Sequence, residues 1–383
     1  MQLKKRWKLL TGKEKYTIAG IGATIIIIIT FGGSLLYSSS SKPQSDQDIS
    51  QEENISSEGE QNNSSDNEQS LTELPSDISP LSGKQCEGYN RRPLGVMLAG
   101  DLEARPLSGI NEAEIVVEMP VITGSVTRLM GLYVCNTPEE VGSMRSARHD
   151  FTSLIRGWDA LFAHWGGSKQ ALDEINTGVR YTGEDLGPID SINALNAGDV
   201  FFRKNEVPRP HNGFISIPRA LDYAQEQGYR LQDPDFEPYL FNRPEEIEQA
   251  REEAQSGTLY VGFSGVFSTK WDYLPQENQY QRSWANQKDQ DRATGEPVKT
   301  DNVVVMTASS EQIEGQYNTV DIYGEGEATL YQNGQEIPAT WIKDGFYGTL
   351  RFQDTSGEEL SLNPGKTYIQ IIEPYQEARW ETD

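Results

Sequence analysis

Residues that usually carry chemistry are scarce in this chain. Its 383 residues include two cysteines and three histidines. Neither set has metal-type spacing, so no zinc or other metal is expected, and no cofactor is implied. Positive charge is also short. Lysine and arginine number 33 against 58 acidic residues, for a formal net charge of -25. No basic stripe breaks that acidic field, which excludes nucleic acid as a partner. Apolar residues make up only 36% of the chain. So low a share implies that part of the chain never packs.

The charge that is present is split by segment. Residues 1–42 hold seven basic residues and one acidic one, leaving 26 basic and 57 acidic beyond them. The split coincides with an uncharged run, "YTIAGIGATIIIIITFGGSLLY", from Tyr16 to Tyr37. That run is long enough to cross about 30 Å of hydrocarbon as a helix. Lys4, Lys5, Arg6, Lys8, Lys13 and Lys15 precede it, and acidic residues dominate after it. The positive-inside rule then places 1–15 in the cytoplasm, a retained anchor at 16–38 and the bulk outside the cell. A cleaved signal peptide is the alternative. The run exceeds an ordinary signal core, and "SLLYSSS" is a poor cleavage site. No cysteine lies near the segment, which excludes lipid attachment there.

After the anchor, 39–82 are Ser, Gln, Asn, Asp and Glu with few large apolar residues, the composition of a flexible stalk. Folded sequence begins near Ser82. "RPLGVMLAG", "AEIVVEMPV" and "TRLMGLYVC" read as strands bounded by Gly, Pro or Asn. A helix is expected after Ser146 as N-cap, with Ala147, Phe151, Leu154, Ile155 and Trp158 as its apolar stripe. "ALFAHW" reads as a strand, "GGSKQALDEI" as a turn into a second helix capped by Ser168, and "PRALDYAQEQGY" as a third helix. Strands interleaved with helices predict an α/β domain over 83–230. An acidic connection follows over 231–256. Beyond it the Asn333-Gly334 pair between apolar runs signals a hairpin, and 257–375 read as a β-rich domain with a tail at 376–383. The expected fold class is therefore an extracellular α/β domain plus a β-rich C-terminal domain on one transmembrane helix. Cys86 and Cys135 both fall on the outer side, where a disulfide is permitted; two unpaired buried thiols are the alternative.

The candidate ligand-binding residues cluster in the α/β part. Arg145 and Arg148 flank Ser146 at a helix mouth, where basic side chains oppose the dipole and an anion would reverse that penalty. Gly166, Gly167 and Ser168 form a second strand-to-helix mouth. His164 lies just before it, and His211 with Asn212 sits in the loop "VPRPHNGF". Each has a plain structural reading: salt bridges for the arginines, hydrogen bonding for His164, loop ordering for His211 and Asn212. Their convergence in one domain suggests an anion site. Catalytic residues cannot be named, because Ser146 and Ser168 are explained by capping and no serine sits in a nucleophile elbow.

"NRRPLGVMLAG", "ARPLSGINEAEIVVE", "TRLMGLYV", "VGSMRSAR", "HWGGSKQAL" and "PHNGF" resemble, in order, the N-terminal domain of the YerB-like lipoprotein family, a domain of unknown function (3048). "WDYLPQENQYQRS", "TGEPVKTDNVVV", "GEGEATLYQNGQEIPATW" and "LNPGKTYIQI" resemble that family's C-terminal domain. The resemblance implies an envelope-facing, two-domain protein and no activity. Many relatives look like lipoproteins with an acylated cysteine, whereas here a transmembrane helix is expected to anchor the chain. The layout is also similar to that of the LytR-CpsA-Psr transferases, although "SVTRLMGLYV" lacks the acidic residue those enzymes place nearby to hold a metal. Two functions follow as expectations. One is an envelope protein that binds a cell-wall polymer, a lipid-linked precursor or another envelope protein through an anion-binding cleft. The other is a transferase or hydrolase acting on phosphate-bearing envelope intermediates.

Overall fold

A computed structural model of the chain describes residues 77–383 apart from Tyr181, Ser264 and Gln316. The expected tail, anchor and most of the stalk lie outside the described residues. Among those described, no helix is long and apolar enough to cross a membrane.

The central element is a ten-stranded sheet. Its strands are β1 (Leu94–Ala99), β2 (Ile115–Pro120), β3 (Thr127–Tyr133), β4 (Leu161–His164), β5 (Ser191–Asn193), β6 (Asn302–Thr307), β7 (Gly324–Gln332), β8 (Gln335–Lys343), β9 (Arg351–Gln353) and β10 (Thr367–Ile372). The spatial order is β9-β8-β7-β6-β10-β2-β3-β1-β4-β5. Helices are interspersed among the first five strands and the later ones form mostly antiparallel β structure, so the first part is mixed α/β and the second β-rich. Both parts nevertheless share this one sheet. Strand β10, near the C-terminus, pairs in parallel with β2 on one side and with β6 on the other. The described residues therefore form one compact unit.

Both faces of the sheet are covered, which explains why β1 to β3 are buried along their whole length. Successive side chains point to opposite faces. Val96, Leu98 and Leu129 join one core with Ile217, Ala220 and Ala224. Met97, Met130 and Phe162 join the other with Phe151, Leu154 and Ile155. The second face carries helices α1 (His149–Gly157) and α2 (Lys169–Thr177). The first carries α3 (Ile217–Glu226) and a smaller sheet containing the strands Gly257–Val261, Thr269–Leu274, Gln279–Trp284 and Ala378–Thr382. Phe151, Leu154 and Ile155 of the predicted stripe are at most 1% exposed, but every residue of α1 except Arg156 is buried, and Ala147 and Trp158 lie just outside the helix. Pro218 lies in the first turn of α3, where its missing N–H costs no helical bond. Asn333 and Gly334 both have positive φ, 55° and 66°, and close the β7–β8 hairpin, as a two-residue primed turn requires.

The connection at 231–256 contains a fourth helix, α4 (Pro244–Glu252), that the hydrophobic pattern does not reveal. No residue of it is buried, so it carries no apolar stripe to detect. It starts on local chemistry: Pro244 at the first position and a Glu246 carboxylate that accepts the Arg243 N–H at 2.8 Å.

Two buried polar fastenings hold the unit together. Arg282, fully buried on the smaller sheet, donates to Glu118 of β2 at 2.7 Å and pairs with Asp289. Cys86 and Cys135 are bonded at an S–S distance of 2.05 Å, across 49 residues of sequence. The Glu114 carboxylate beside this bond accepts from Val134 N–H and Ser82 Oγ.

Candidate functional site: an arginine cluster at the sheet edge

Strands β1, β2 and β4 run parallel to one another. Their carboxyl ends mark the edge where ligands bind in open α/β sheets. Strand β3 is antiparallel to β1, with Arg128 opposite Ala99. The first residues of β3 therefore reach that same edge. Alternation places Arg128 on the face of Met130, the face that α1 covers.

Arg128 is only 6% exposed. Among the described residues no carboxylate lies within ion-pair distance of it, and its Nε is sealed from solvent with no acceptor. Burial lowers its pKa to about 9, and repulsion from Arg148 and Arg145 adds to the shift. Arg148 is half-buried and its pKa is also lowered, first by burial and then, against the pull of Tyr317, by repulsion from Arg145. Three guanidinium groups thus lie within electrostatic reach of one another. Among the described residues only Arg145 of the three has a carboxylate partner: its Nε and Nη2 both donate to Asp101 Oδ2, at 3.1 and 3.0 Å. Buried like charges with so little compensation are costly unless something else neutralises them.

The surroundings fix each side chain. Residues 144–147 run extended rather than helical. Arg145 N–H donates to Met97 at the end of β1, and Ala147 N–H donates to Gly166. The chain is thereby tied on both sides, and α1 cannot begin until His149. This corrects the expectation for Ser146. Arg148, not Ser146, occupies the N-cap position, and Ser146 Oγ instead donates to the Trp165 carbonyl at 3.1 Å. Arg148 lies with its guanidinium 4.9 Å from the centre of the Tyr317 ring. Tyr317 belongs to a small hairpin, Ser310–Glu314 with Tyr317–Val320. That hairpin is fastened to α1 through Asp150, whose Oδ1 accepts from Thr319 Oγ1 and Val320 N–H, both at 3.1 Å. Burial raises the Asp150 carboxyl pKa to about 7.

Of the other candidates, only His211 joins the arginines. Its Nδ1 is 3.0 Å from Arg145 Nη2. Its pKa is lowered, by burial first and Arg145 second, so it stays a neutral acceptor toward Arg145. Asn212, next to it, turns away and accepts from Arg203 at 2.6 Å. His164 is fully buried and pairs its Nδ1 with the Gly166 carbonyl at 2.8 Å. Burial lowers its pKa to about 4.

The Gly166–Ser168 turn is not the open second mouth expected from sequence. Gly166 N–H donates to Asn193 Oδ1 and Ser168 N–H to the Ala147 carbonyl. Gly166 has φ +65°, a conformation that favours glycine, and so supports the turn itself. Gly167 packs so closely that a Cβ there would lie 2.9 Å from Leu172. Ser168 does cap α2, its Oγ accepting from Ala171 N–H. Clefts of about 400 Å3 beside the disulfide and about 620 Å3 on the smaller sheet open elsewhere, and neither is lined by the arginines.

Sequence reasoning passed over Arg128 and Asp101. The available signal was a cation inside an otherwise apolar strand, "TRLMGLY", and an acid directly after strand β1.

Residues 81–230 match the family described as "Protein of unknown function (DUF3048) N-terminal domain", and 259–369 match its C-terminal domain. The chain belongs to the DUF3048 family. A DUF3048 relative from Bacillus subtilis (strain 168), named "Putative lipoprotein YerB", is 30% identical over 299 residues, spanning 76% of this chain and 85% of that protein. The crystal structure of the YerB protein from Bacillus subtilis superposes with a TM-score of 0.68 at 28% identity. It covers 79% of this chain and 99% of the solved one. DUF3048 membership accounts for the α/β and β-rich parts in that order and assigns no activity to either.

Proposed function

We propose that this chain is a membrane-anchored protein of the cell envelope that binds a phosphate-bearing envelope component through Arg128, Arg145 and Arg148. The anchoring half of this reading rests on the charge asymmetry around Tyr16–Tyr37 and on a relative that carries a lipoprotein name. The binding half rests on one observation: Arg128 is buried, has no carboxylate partner among the described residues and stands among like charges. An anion supplies what the fold leaves out, through charge-assisted hydrogen bonds from guanidinium groups. In a chain of net charge -25 such a local positive focus is what makes anion capture feasible.

Binding is favoured over catalysis because neither candidate histidine is placed to serve as a base. His164 is sealed within the sheet edge, and His211 is engaged by Arg145. The test is thermal unfolding of the detergent-solubilised chain in inorganic phosphate against chloride at equal ionic strength. Phosphate should protect the wild type and should not protect Arg148→Gln. Equal melting of the wild type in both salts would remove the binding reading.

A further inference from the structure

Resting on that binding reading, we propose that the arginine cluster selects a doubly charged oxyanion, the terminal phosphate of a monoester, over a singly charged phosphodiester or carboxylate. Charge balance carries the inference. Three arginines converge at the sheet edge, and among the described residues Asp101 is the one carboxylate in ion-pair contact with any of them. Asp150 also attracts Arg148, but with its pKa raised to about 7 it is only partly ionised at neutral pH, so the cluster retains more than one positive charge. In a partly buried site each uncompensated charge is expensive, because the low local dielectric strengthens repulsion and burial removes hydration. A monoanion leaves part of the cluster's charge unmatched, and a dianion matches more of it.

The donor geometry agrees. Arg145 directs Nε and Nη2 to a single oxygen of Asp101. The face of Arg148 rests on Tyr317, with Nη1 tied to the Ala147 carbonyl. Its Nε is buried without an acceptor among the described residues, which leaves Nη2 as its open donor. Arg128 supplies a third guanidinium whose Nε has no acceptor and whose two Nη groups are not closed off in that way. Donors from separate side chains at one sheet edge suit a phosphate with three terminal oxygens. A diester offers only two, which share one charge.

The experiment holds shape nearly constant and changes charge. Methyl phosphate and dimethyl phosphate are titrated into the detergent-solubilised full chain at pH 7, where a monoester is mostly dianionic because its second pKa is about 6. Methyl phosphate should bind at least tenfold more tightly. Arg148→Gln, at a half-exposed position, should reduce that preference to about threefold or less. Arg128→Met should do the same in a background that folds without its buried charge. Equal affinity for the two probes overturns the dianion inference and leaves anion binding standing, whereas failure of both probes to bind removes both readings. A further arm separates the sources of the monoester. Dihexanoyl phosphatidic acid binding tenfold more tightly than glycerol phosphate identifies a lipid headgroup, and equal binding identifies a soluble monoester. Either of these results supports the dianion.

Discussion

Replacing Arg128 by methionine should make the ligand-free protein more stable while abolishing its response to phosphate. Arg128 is 6% exposed, and burial lowers its pKa well below the ordinary guanidinium value, to about 9. Each pKa unit corresponds to about 1.4 kcal/mol, so the charged form carries a penalty on the order of 3–6 kcal/mol. The folded-state pKa lies below the unfolded one. The unfolded chain therefore holds the proton more tightly, and the penalty is fully present below pH 9 and relieved only as pH rises from 9 toward the ordinary guanidinium pKa. At pH 7 all of it acts against folding. Methionine keeps most of the apolar stem and removes the charge, the kind of exchange that stabilises when a buried ion is poorly compensated. After allowance for local repacking, a gain of roughly 2–4 kcal/mol is expected. Urea unfolding in phosphate-free buffer measures it, as a higher midpoint with unchanged slope. Phosphate should then raise the midpoint of the wild type and not that of the variant, since a ligand stabilises only the state that binds it. A loss of more than about 1 kcal/mol in Arg128→Met would show that the cation is structurally partnered, and the reasoning would fail.

Three other outcomes follow from the fold. Arg282→Met leaves Glu118 without a cation in the interior, while Asp289 keeps its pair with Arg105, and should cost about 3–5 kcal/mol by urea unfolding, with partial recovery in the double variant that also carries Glu118→Gln. Replacing Cys86 and Cys135 together by serine opens a loop of 49 residues and should lower stability by about 4 kcal/mol, read from the denaturation midpoint. His164, held neutral with a pKa of about 4, is protonated more readily in the unfolded chain, so stability is lost as pH falls from 6.5 to 4 and levels off below. His164→Asn keeps a donor toward the Gly166 carbonyl and should reduce the stability difference between pH 7 and pH 4.5 by about 2 kcal/mol. An unchanged pH profile would refute the assignment.

The elements were legible in the sequence wherever local pattern and burial coincide. The α1 stripe, the Ser168 cap, Pro218 in the first turn of α3 and the Asn333-Gly334 turn are each decided within a few residues, by side-chain periodicity or by backbone chemistry. Helix α4 escaped notice because it buries nothing, and a helix without an apolar face leaves no period to read. The charge asymmetry of the first 42 residues and the pairing of the family motifs are likewise properties of the chain as written.

Tertiary structure decided what is separated by long stretches of sequence. The pairing of β10 with β2 joins Ile115 to Thr367, and no local signal specifies which strand will lie beside which. That pairing makes one sheet of two parts that composition alone divides. The candidate site was decided in the same way. Ser146 reads as a helix cap, yet backbone bonds from Arg145 to Met97 and from Ala147 to Gly166 hold it in an extended run. Arg145 and Arg148 were visible as neighbours in sequence, whereas Arg128 comes to them only because an antiparallel strand begins where β1 ends. An arginine's partners are set by distance and burial in the folded state, and the sequence lists the charges without saying which will be left unpaired.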